Sequence, residues 1–210
     1  MIKNKFFLRK KINIDITYRC PLMCPNCQRQ TRFTSKGLKV PGEDISLENF
    51  EKISKHFKHV NFCGQVSDPV HHPNFLEILE ITRRNNNTVS VHHASAAKPE
   101  KWYPKAFKAN PNATWWFGID GLPEDSHKYR VNQDGEKLFR IMLESKKYLK
   151  TNPIWQYIIF NYNENDIDYA RLLAEKSGVN FMTLLSSRWI GENDPLRPTI
   201  DEYSLSLRED

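Results

Sequence analysis

Three of the four cysteines of this 210-residue chain lie together between positions 20 and 27, in the segment CPLMCPNC. The spacing of Cys20, Cys24 and Cys27 allows one loop to present three thiolates to a common centre. Thiolates are typical protein ligands for zinc and for iron–sulfur clusters. The segment therefore indicates metal chemistry.

Several interpretations of these cysteines are open. A structural zinc site needs four ligands, so Cys63 or a histidine would have to complete it, and the usual well-separated C-x2-C pairs are absent. A buried, inert set of thiols fits poorly beside proline and asparagine in a turn. The remaining interpretation is an iron–sulfur cluster on three thiolates, with one iron open to bind and activate another molecule. Iron and sulfide analysis separates these interpretations.

Hydrophobic patterning predicts strands and helices that alternate along nearly the whole chain. Strands are predicted near residues 11–17, 59–62, 88–92, 114–119, 155–160 and 180–185. Amphipathic helices lie between them, the first capped by Ser46 and the last stopped by Gly178. This order predicts an α/β fold, a partial (β/α)6 barrel of parallel strands with outer helices, in which chemistry sits past the carboxyl ends of the strands.

Length and composition predict one domain over residues 1–210, with β/α elements from about 11 to 190 and a short C-terminal extension at 191–210. A hydrophobic content of 39% is sufficient for a packed core. No apolar run reaches membrane-spanning length, and the basic start lacks the apolar stretch of a signal peptide. Because cysteines without an export signal are expected to be reduced, we expect a cytoplasmic protein.

The loop after the first predicted strand, YRCPLMCPNC, resembles the C-x3-C-x2-C signature of the radical S-adenosylmethionine (radical SAM) superfamily. The resemblance extends over about residues 10–190 and implies a compact member. FCGQVSDPVHHPNF is similar to the family's second-strand segment, with Gly64 and Asp68 in place of its Gly-Gly-Glu-Pro pattern. VHHASAA and GIDGLPEDSHKYR resemble the third- and fourth-strand segments. One departure is Asn26, which stands where the family often has an aromatic residue before the third cysteine.

The resemblance implies an enzyme in which Cys20, Cys24 and Cys27 hold a 4Fe-4S cluster. The reduced cluster would cleave S-adenosylmethionine (SAM) into methionine and a 5′-deoxyadenosyl radical that takes hydrogen from a substrate. A flavodoxin- or ferredoxin-like protein would donate the electron. Arg130 is expected to bind the SAM carboxylate and Ser95 a ribose hydroxyl. The cofactor-binding residues expected in full are Gly64, Asp68, Ser95, Asp120, Arg130 and Asn161.

The substrate is indicated only by charge. The formal net charge is +6, and no acidic residue occurs from Thr17 to Gly42, a stretch that carries several basic residues: Arg19, Arg29, Arg32, Lys36 and Lys39. At the barrel mouth these would attract an anionic substrate such as a nucleotide. The alternatives are a solvated loop or a surface that docks an acidic electron donor. Two other functions also stay open: an activating enzyme or peptide modifier that acts on a partner protein, and a non-enzymatic, zinc-stabilised binding module.

Three other features have structural interpretations. His92 and His93 are adjacent on a predicted strand and should point to opposite faces. Cys63 is expected as a small buried side chain rather than a ligand. The Trp115-Trp116 pair is expected to serve the core first and stacking second. We therefore predict no second metal site.

Overall fold

The computed structural model describes residues 9–205, which form one six-stranded parallel sheet with helices outside it. The strands pair in sequence order: β1 (Arg9–Ile14), β2 (Phe57–Phe62), β3 (Thr88–His93), β4 (Thr114–Gly118), β5 (Ile154–Ile158) and β6 (Asn180–Leu184). Within this part of the chain β1 and β6 do not pair with each other, so the barrel stays open. The predicted fold, a partial (β/α)6 barrel of parallel strands with outer helices, is confirmed.

Helices connect consecutive strands, as parallel pairing requires. They are α1 (Gln28–Arg32), α2 (Leu47–His56), α3 (Phe75–Arg84), α4 (Tyr103–Ala109), α5 (Gly135–Ser145) and α6 (Ile167–Ser177). Single 3-10 turns occupy Thr34–Lys36, Pro69–His71, Glu100–Trp102, Ser126–Lys128 and Asp201–Tyr203. No helix in residues 9–205 is both long enough and apolar enough to cross a membrane.

Capping fixes where the main helices begin and end. The Ser46 Oγ atom accepts a hydrogen bond from the Asn49 amide at 3.2 Å and starts α2, as predicted. Asp134 caps α5 in the same way, through the Lys137 amide at 2.9 Å. Gly178 ends α6 with a φ of +63°, a conformation that glycine adopts without a steric penalty.

The predicted boundaries differ from the structure in a few places. β1 ends at Ile14, before the predicted end at residue 17, because Asp15 turns away to accept a hydrogen bond from the Ser67 hydroxyl at 2.7 Å. α1 was not predicted, because five residues without a buried side chain show no hydrophobic period. α3 begins at Phe75 with Asn74 at its N-cap, so Pro73 lies just outside it.

The two faces of the sheet have different environments. In the inner strands the outer face is buried beneath the helices and carries large aromatic side chains, among them Phe62, Trp115, Phe117, Trp155 and Tyr157, whereas the edge strands β1 and β6 are less buried. Residues on the concave face are only half-buried and alternate with these along each strand. The core therefore lies between sheet and helices, and the concave face is left for a cavity.

Gly135, the first residue of α5, packs tightly against the loop that follows β4. A Cβ atom at this position would lie only 2.1 Å from the Pro123 carbonyl oxygen. We expect Gly135→Ala to lower the free energy of unfolding by about 1–3 kcal/mol, since backbone must shift to relieve the overlap. Urea denaturation measures this, with Arg140→Ala on the exposed face of the same helix as a control expected within about 0.5 kcal/mol of wild type. Equal stability of Gly135→Ala and wild type would contradict the packing described.

Candidate functional site

A cavity of about 440 Å³ opens at the carboxyl ends of the strands. Parallel strands bring the loops that follow them to the same rim, so residues distant in sequence meet there. The cavity is lined by the cysteine segment and by the polar segments after β2, β3, β4 and β6. The segment after β5, residues 161–166, was expected there but does not line the cavity.

Cys20, Cys24 and Cys27 all line this cavity. The loop that carries them is held in place by backbone hydrogen bonds, including one from the Met23 amide to the Val131 carbonyl at 3.0 Å. Cys24 is buried in an apolar cluster made with Leu22, Tyr129, Phe160 and Trp189. The sequence thus places three thiols at one end of the barrel, where Cys24 is buried and Cys20 and Cys27 are partly exposed.

Burial makes the thiols of Cys20 and Cys24 poor thiolates unless a cation is present. Burial raises the pKa of Cys20 to about 12, and it raises the pKa of Cys24 as well. A thiolate at either position therefore needs a positive partner, which bound iron or zinc would provide.

The donor set fits an iron–sulfur cluster. Cys20, Cys24 and Cys27 are free thiols, so no disulfide competes for them. In residues 9–205 no three Cys, His, Asp or Glu side chains converge closely enough to hold a single metal ion. Thiolates on a cluster bind different irons and need not converge on one point. Cys63 also lines the cavity as a free thiol, so it is near the site and only partly buried.

Arg130 lies beside Cys24 and forms a buried ion pair. Its Nε donates to the Asp120 Oδ2 atom at 2.6 Å, and its side chain is 16% exposed. Burial would lower the pKa of Arg130, but the Asp120 carboxylate outweighs burial and raises it, so the guanidinium stays charged. Arg130 lines the cavity, which excludes a surface location for this side chain.

Asp120 itself stands behind the cavity wall. It is fully buried, and its Oδ1 atom accepts a hydrogen bond from the Ile158 amide of β5 at 2.8 Å. Asp120 therefore joins β4 and β5 while it orients Arg130. Its carboxylate does not line the cavity.

Asp68 is a second buried carboxylate, and its hydrogen bonds come from within the protein. It accepts from the His93 Nδ1 atom at 3.1 Å and from the Ala94 and Ser95 amides at 3.0 and 2.9 Å. Burial would raise the pKa of Asp68, but His93 and these amides outweigh it and hold the pKa at about 2. Asp68 lines the cavity and fixes the chain after β3.

The remaining predicted cofactor residues differ in position. Gly64 lines the cavity with a φ of +60°, and a Cβ there would lie 3.0 Å from the Ser67 carbonyl oxygen. Ser95 is fully buried, hydrogen-bonded to the His71 Nε2 atom at 3.1 Å, and lies outside the cavity lining. Asn161 is exposed and also lies outside the lining.

The C-terminal segment contributes to the site in a way that the sequence did not predict. Asn26, next to Cys27, is buried and donates through Nδ2 to the Asp194 Oδ2 atom at 2.8 Å. Asp194 also accepts from the Ile190 and Leu196 amides at 2.7 and 2.9 Å. The segment that follows β6 is thus tied to the cysteine loop. The only signal for this in the sequence is the unusual Asn26.

The concave face provides the floor of the cavity, which we define as Asn13, Asn61, His92, Trp116 and Gln156. His92 stacks on Trp116 with ring centroids 5.0 Å apart, and its Nδ1 lies 3.2 Å from the Gln156 Oε1 atom. His93 points the other way, to Asp68, so the predicted opposite orientations are found. Trp115 lies in the core, as expected, whereas Trp116 faces the cavity. The polar alternate positions in β1, β2 and β5 were the signal for this floor.

The expected basic rim is only partly present. Of the five basic residues named from the sequence, only Arg29 lines the cavity. Arg19 pairs with Asp44 at 2.8 Å, so its charge is compensated by a residue just beyond the stretch that lacks acidic residues. Arg188, which the sequence did not single out, lines the cavity and donates to the Gln65 Oε1 atom at 2.9 Å. Arg29 and Arg188 come from two distant segments, and Arg130, paired with Asp120, is a third cation of the cavity.

Known structures share this architecture. Methylornithine synthase (PylB) is 15% identical over 90% of this chain with a TM-score of 0.59, and anSMEcpe with bound AdoMet is 17% identical over 93% with a TM-score of 0.64. SuiB of Streptococcus suis is 9% identical over 97% with a TM-score of 0.68. These proteins are radical SAM enzymes, so the chain has the radical SAM fold.

The likeness has a defined extent. The chain covers 56%, 56% and 43% of these three structures, so it spans about half their length. No family model and no curated protein matches the sequence. At these low identities the likeness establishes the fold.

Asp68 should make stability depend on pH in the acid range. A carboxylate whose pKa is lowered on folding stabilises the fold above its unfolded pKa, and this contribution is lost as pH falls through the folded pKa. We expect wild-type protein to lose about 2 kcal/mol of unfolding free energy from this group between about pH 4 and pH 2.

Asp68→Asn tests this expectation. The variant should be less stable at neutral pH and lack this part of the acid dependence, as measured by urea denaturation of metal-free protein. The matched control is Asp168→Asn, since Asp168 is an exposed carboxylate on α6. Stability curves of wild type and Asp68→Asn that run parallel with pH would contradict the role of Asp68.

Proposed function

We propose that this chain is the core domain of a radical SAM enzyme. One observation carries the proposal: three free thiols, Cys20, Cys24 and Cys27, line one cavity at the carboxyl rim of a radical SAM fold. In this proposal they anchor a 4Fe-4S cluster, and residues 9–205 act as a single catalytic unit. The bound cluster would supply the electron that cleaves SAM and yields a 5′-deoxyadenosyl radical.

The protein itself would position the cysteine loop and exclude water from the site. Met23, whose amide is held by the Val131 carbonyl, keeps the cysteine loop against the barrel. Trp189 and Phe160 pack edge to face beside Cys24, with centroids 6.1 Å apart, and cover it from solvent. A dry, fixed site favours charge-assisted contacts and protects reactive species.

Arg130 is the residue best placed to bind the SAM carboxylate. Asp120 holds its Nε, which leaves the two terminal nitrogens of the guanidinium for a planar anion. Gly64 would let the backbone approach SAM closely, since its position has no side chain at the cavity wall.

The other candidates have indirect roles. We assign Asp68 and Asp120 to orienting their neighbours, because protein groups already occupy their oxygens. Ser95 and Asn161 lie outside the cavity lining, so a direct contact with SAM would need a local rearrangement of either segment.

The substrate and the electron donor belong to the proposal as well. Arg29 and Arg188 favour an anionic substrate, such as a nucleotide, over a cationic one. A second candidate, a peptide modifier, is supported by two of the similar structures, anSMEcpe with the Kp18Cys peptide and SuiB with its precursor peptide SuiA. A flavodoxin- or ferredoxin-like protein is the proposed donor.

Iron analysis tests the cluster. Protein purified without oxygen should be brown and hold about four irons per chain. Alanine at Cys20, Cys24 or Cys27 should abolish iron binding, because each change removes one of three anchoring thiolates. Cys63→Ala is the matched control, a cavity-lining cysteine that should leave the iron content unchanged. A colourless, zinc-containing wild type would overturn the proposal, and so would full iron content in the alanine variants.

SAM binding tests Arg130. Replacing Arg130 alone would leave the buried Asp120 carboxylate unpaired and destabilise the fold, so the informative variant is Asp120→Asn with Arg130→Gln. We expect this double variant to keep its iron and to bind SAM more weakly by roughly 1.5–3 kcal/mol, owing to the lost charge-assisted contact. Equilibrium dialysis with radiolabelled SAM measures the effect, with the exposed Arg171→Gln as control. Unchanged SAM affinity would mean that a residue other than Arg130 binds the SAM carboxylate.

A further inference from the structure

The floor of the cavity carries several hydrogen-bonding groups that the proposed cluster and SAM contacts do not involve. Because the Gln156 Oε1 atom can only accept, the His92 Nδ1 atom must carry the proton in their 3.2 Å contact. The His92 Nε2 atom is then an acceptor and the Gln156 amide nitrogen a donor, and neither has another hydrogen-bond partner in the described part of the chain. Donor and acceptor thus stand side by side.

Two further polar atoms of the floor have unmet hydrogen-bonding capacity. The Asn61 Oδ1 and Trp116 Nε1 atoms are buried without a partner in residues 9–205, although the Asn61 amide nitrogen donates to Asn13 at 2.9 Å. A buried polar atom without a partner is destabilising by about 1–3 kcal/mol. A bound polar molecule would give these atoms partners if their side chains turn toward the cavity.

The floor is uncharged and partly aromatic. His92 and Trp116 stack on each other with an interplanar angle of 17° and give the floor an aromatic part, and burial lowers the pKa of His92, which favours its neutral form. A neutral site with an aromatic wall and adjacent donors and acceptors matches a planar heteroaromatic ring.

Unpaired positive charge lies above this floor, at the rim. Of the charged residues that line the cavity, Asp68 is engaged by His93 and Arg130 is paired with Asp120. Arg29 and Arg188 contact only neutral groups: Arg29 donates to backbone carbonyls and Arg188 to Gln65. The rim is therefore positive, whereas the floor is neutral.

We propose that the floor binds the base, and Arg188 and Arg29 bind the phosphate, of a nucleotide substrate. The inference deepens the proposed function and rests on it, since it assigns the reacting partner of the same cavity. A peptide is less well matched, because its amide groups lie along an extended chain whereas the free groups of His92 and Gln156 lie side by side.

The experiment uses anaerobically purified protein with its cluster, saturated with SAM. Isothermal titration calorimetry measures binding of AMP, GMP, CMP and UMP, of the corresponding nucleosides, and of ribose 5-phosphate. We expect at least one nucleotide to bind at least about tenfold more tightly than its nucleoside and than ribose 5-phosphate, because only the nucleotide engages both floor and rim.

Amino-acid substitutions test which residues bind the base and which bind the phosphate. Trp116→Phe keeps the aromatic wall but removes the indole N–H, and Gln156→Ala removes the free amide; each should weaken nucleotide binding about tenfold. Arg188→Ala should weaken the nucleotide and leave the nucleoside unaffected. The matched control, Arg32→Ala, removes a cation outside the cavity lining and should change nothing. Thermal denaturation and iron content verify that each variant is folded and loaded.

Three results would overturn the inference. The first is the absence of nucleotide binding. The second is displacement of the nucleotide by SAM, which would show that the floor binds the cofactor. The third is tight binding of short peptides in place of nucleotides. SAM affinity and iron content are measured on the same samples. If the proposed function is wrong, the protein does not bind iron or SAM. If only the nucleotide assignment is wrong, the protein binds iron and SAM but not the nucleotide.

Discussion

A buried ion pair connects the scaffold of this protein to its site. Asp120 follows β4, accepts a hydrogen bond from the Ile158 amide of β5 and holds the Nε of Arg130 at 2.6 Å. Arg130 in turn stands beside Cys24 at the cavity wall. An unpaired charge at either position would be strongly destabilising in this environment, so β4, β5 and the loop that ends at Arg130 are fixed relative to one another. This constraint fixes the guanidinium at the wall of the cavity that the three cysteines also line.

The same cavity joins three kinds of environment at short range. The cysteine loop is dry and apolar around Cys24, the rim carries cations at Arg29 and Arg188, and the floor is neutral and rich in hydrogen-bonding groups. Parallel strand topology explains why they meet, since every crossover returns the chain to the same end of the sheet. Asp194 adds the C-terminal segment to this arrangement through its contact with Asn26. The thiols, the cations and the hydrogen-bonding groups of the cavity are thus supplied by separate segments.

The fold and the position of the three cysteines at the carboxyl end of the sheet could be predicted from the sequence, because both depend on short-range patterns. Alternation in 88–92 and the Ser46 cap are local signals, and so is the spacing of the cysteines. The pairing of Asn26 with Asp194 spans 168 positions and has no local signal. Arg19 was expected at the rim, but its charge is compensated by Asp44, which lies just beyond the segment 17–42 that lacks acidic residues. Strand alternation predicted that His92 and His93 point to opposite faces of the sheet, but it did not predict which of the two faces the floor of the cavity.

Product analysis under reducing conditions tests the central claim, that this cavity activates SAM on a cluster held by Cys20, Cys24 and Cys27. Anaerobic, cluster-loaded wild type is incubated with SAM and a strong chemical reductant, and 5′-deoxyadenosine is quantified by liquid chromatography with mass spectrometry. The account predicts slow formation of 5′-deoxyadenosine even without added substrate, its continued formation by Cys63→Ala, and none by Cys24→Ala. Iron-loaded wild type that binds SAM but forms no 5′-deoxyadenosine, or Cys24→Ala that forms it at the wild-type rate, would contradict the account.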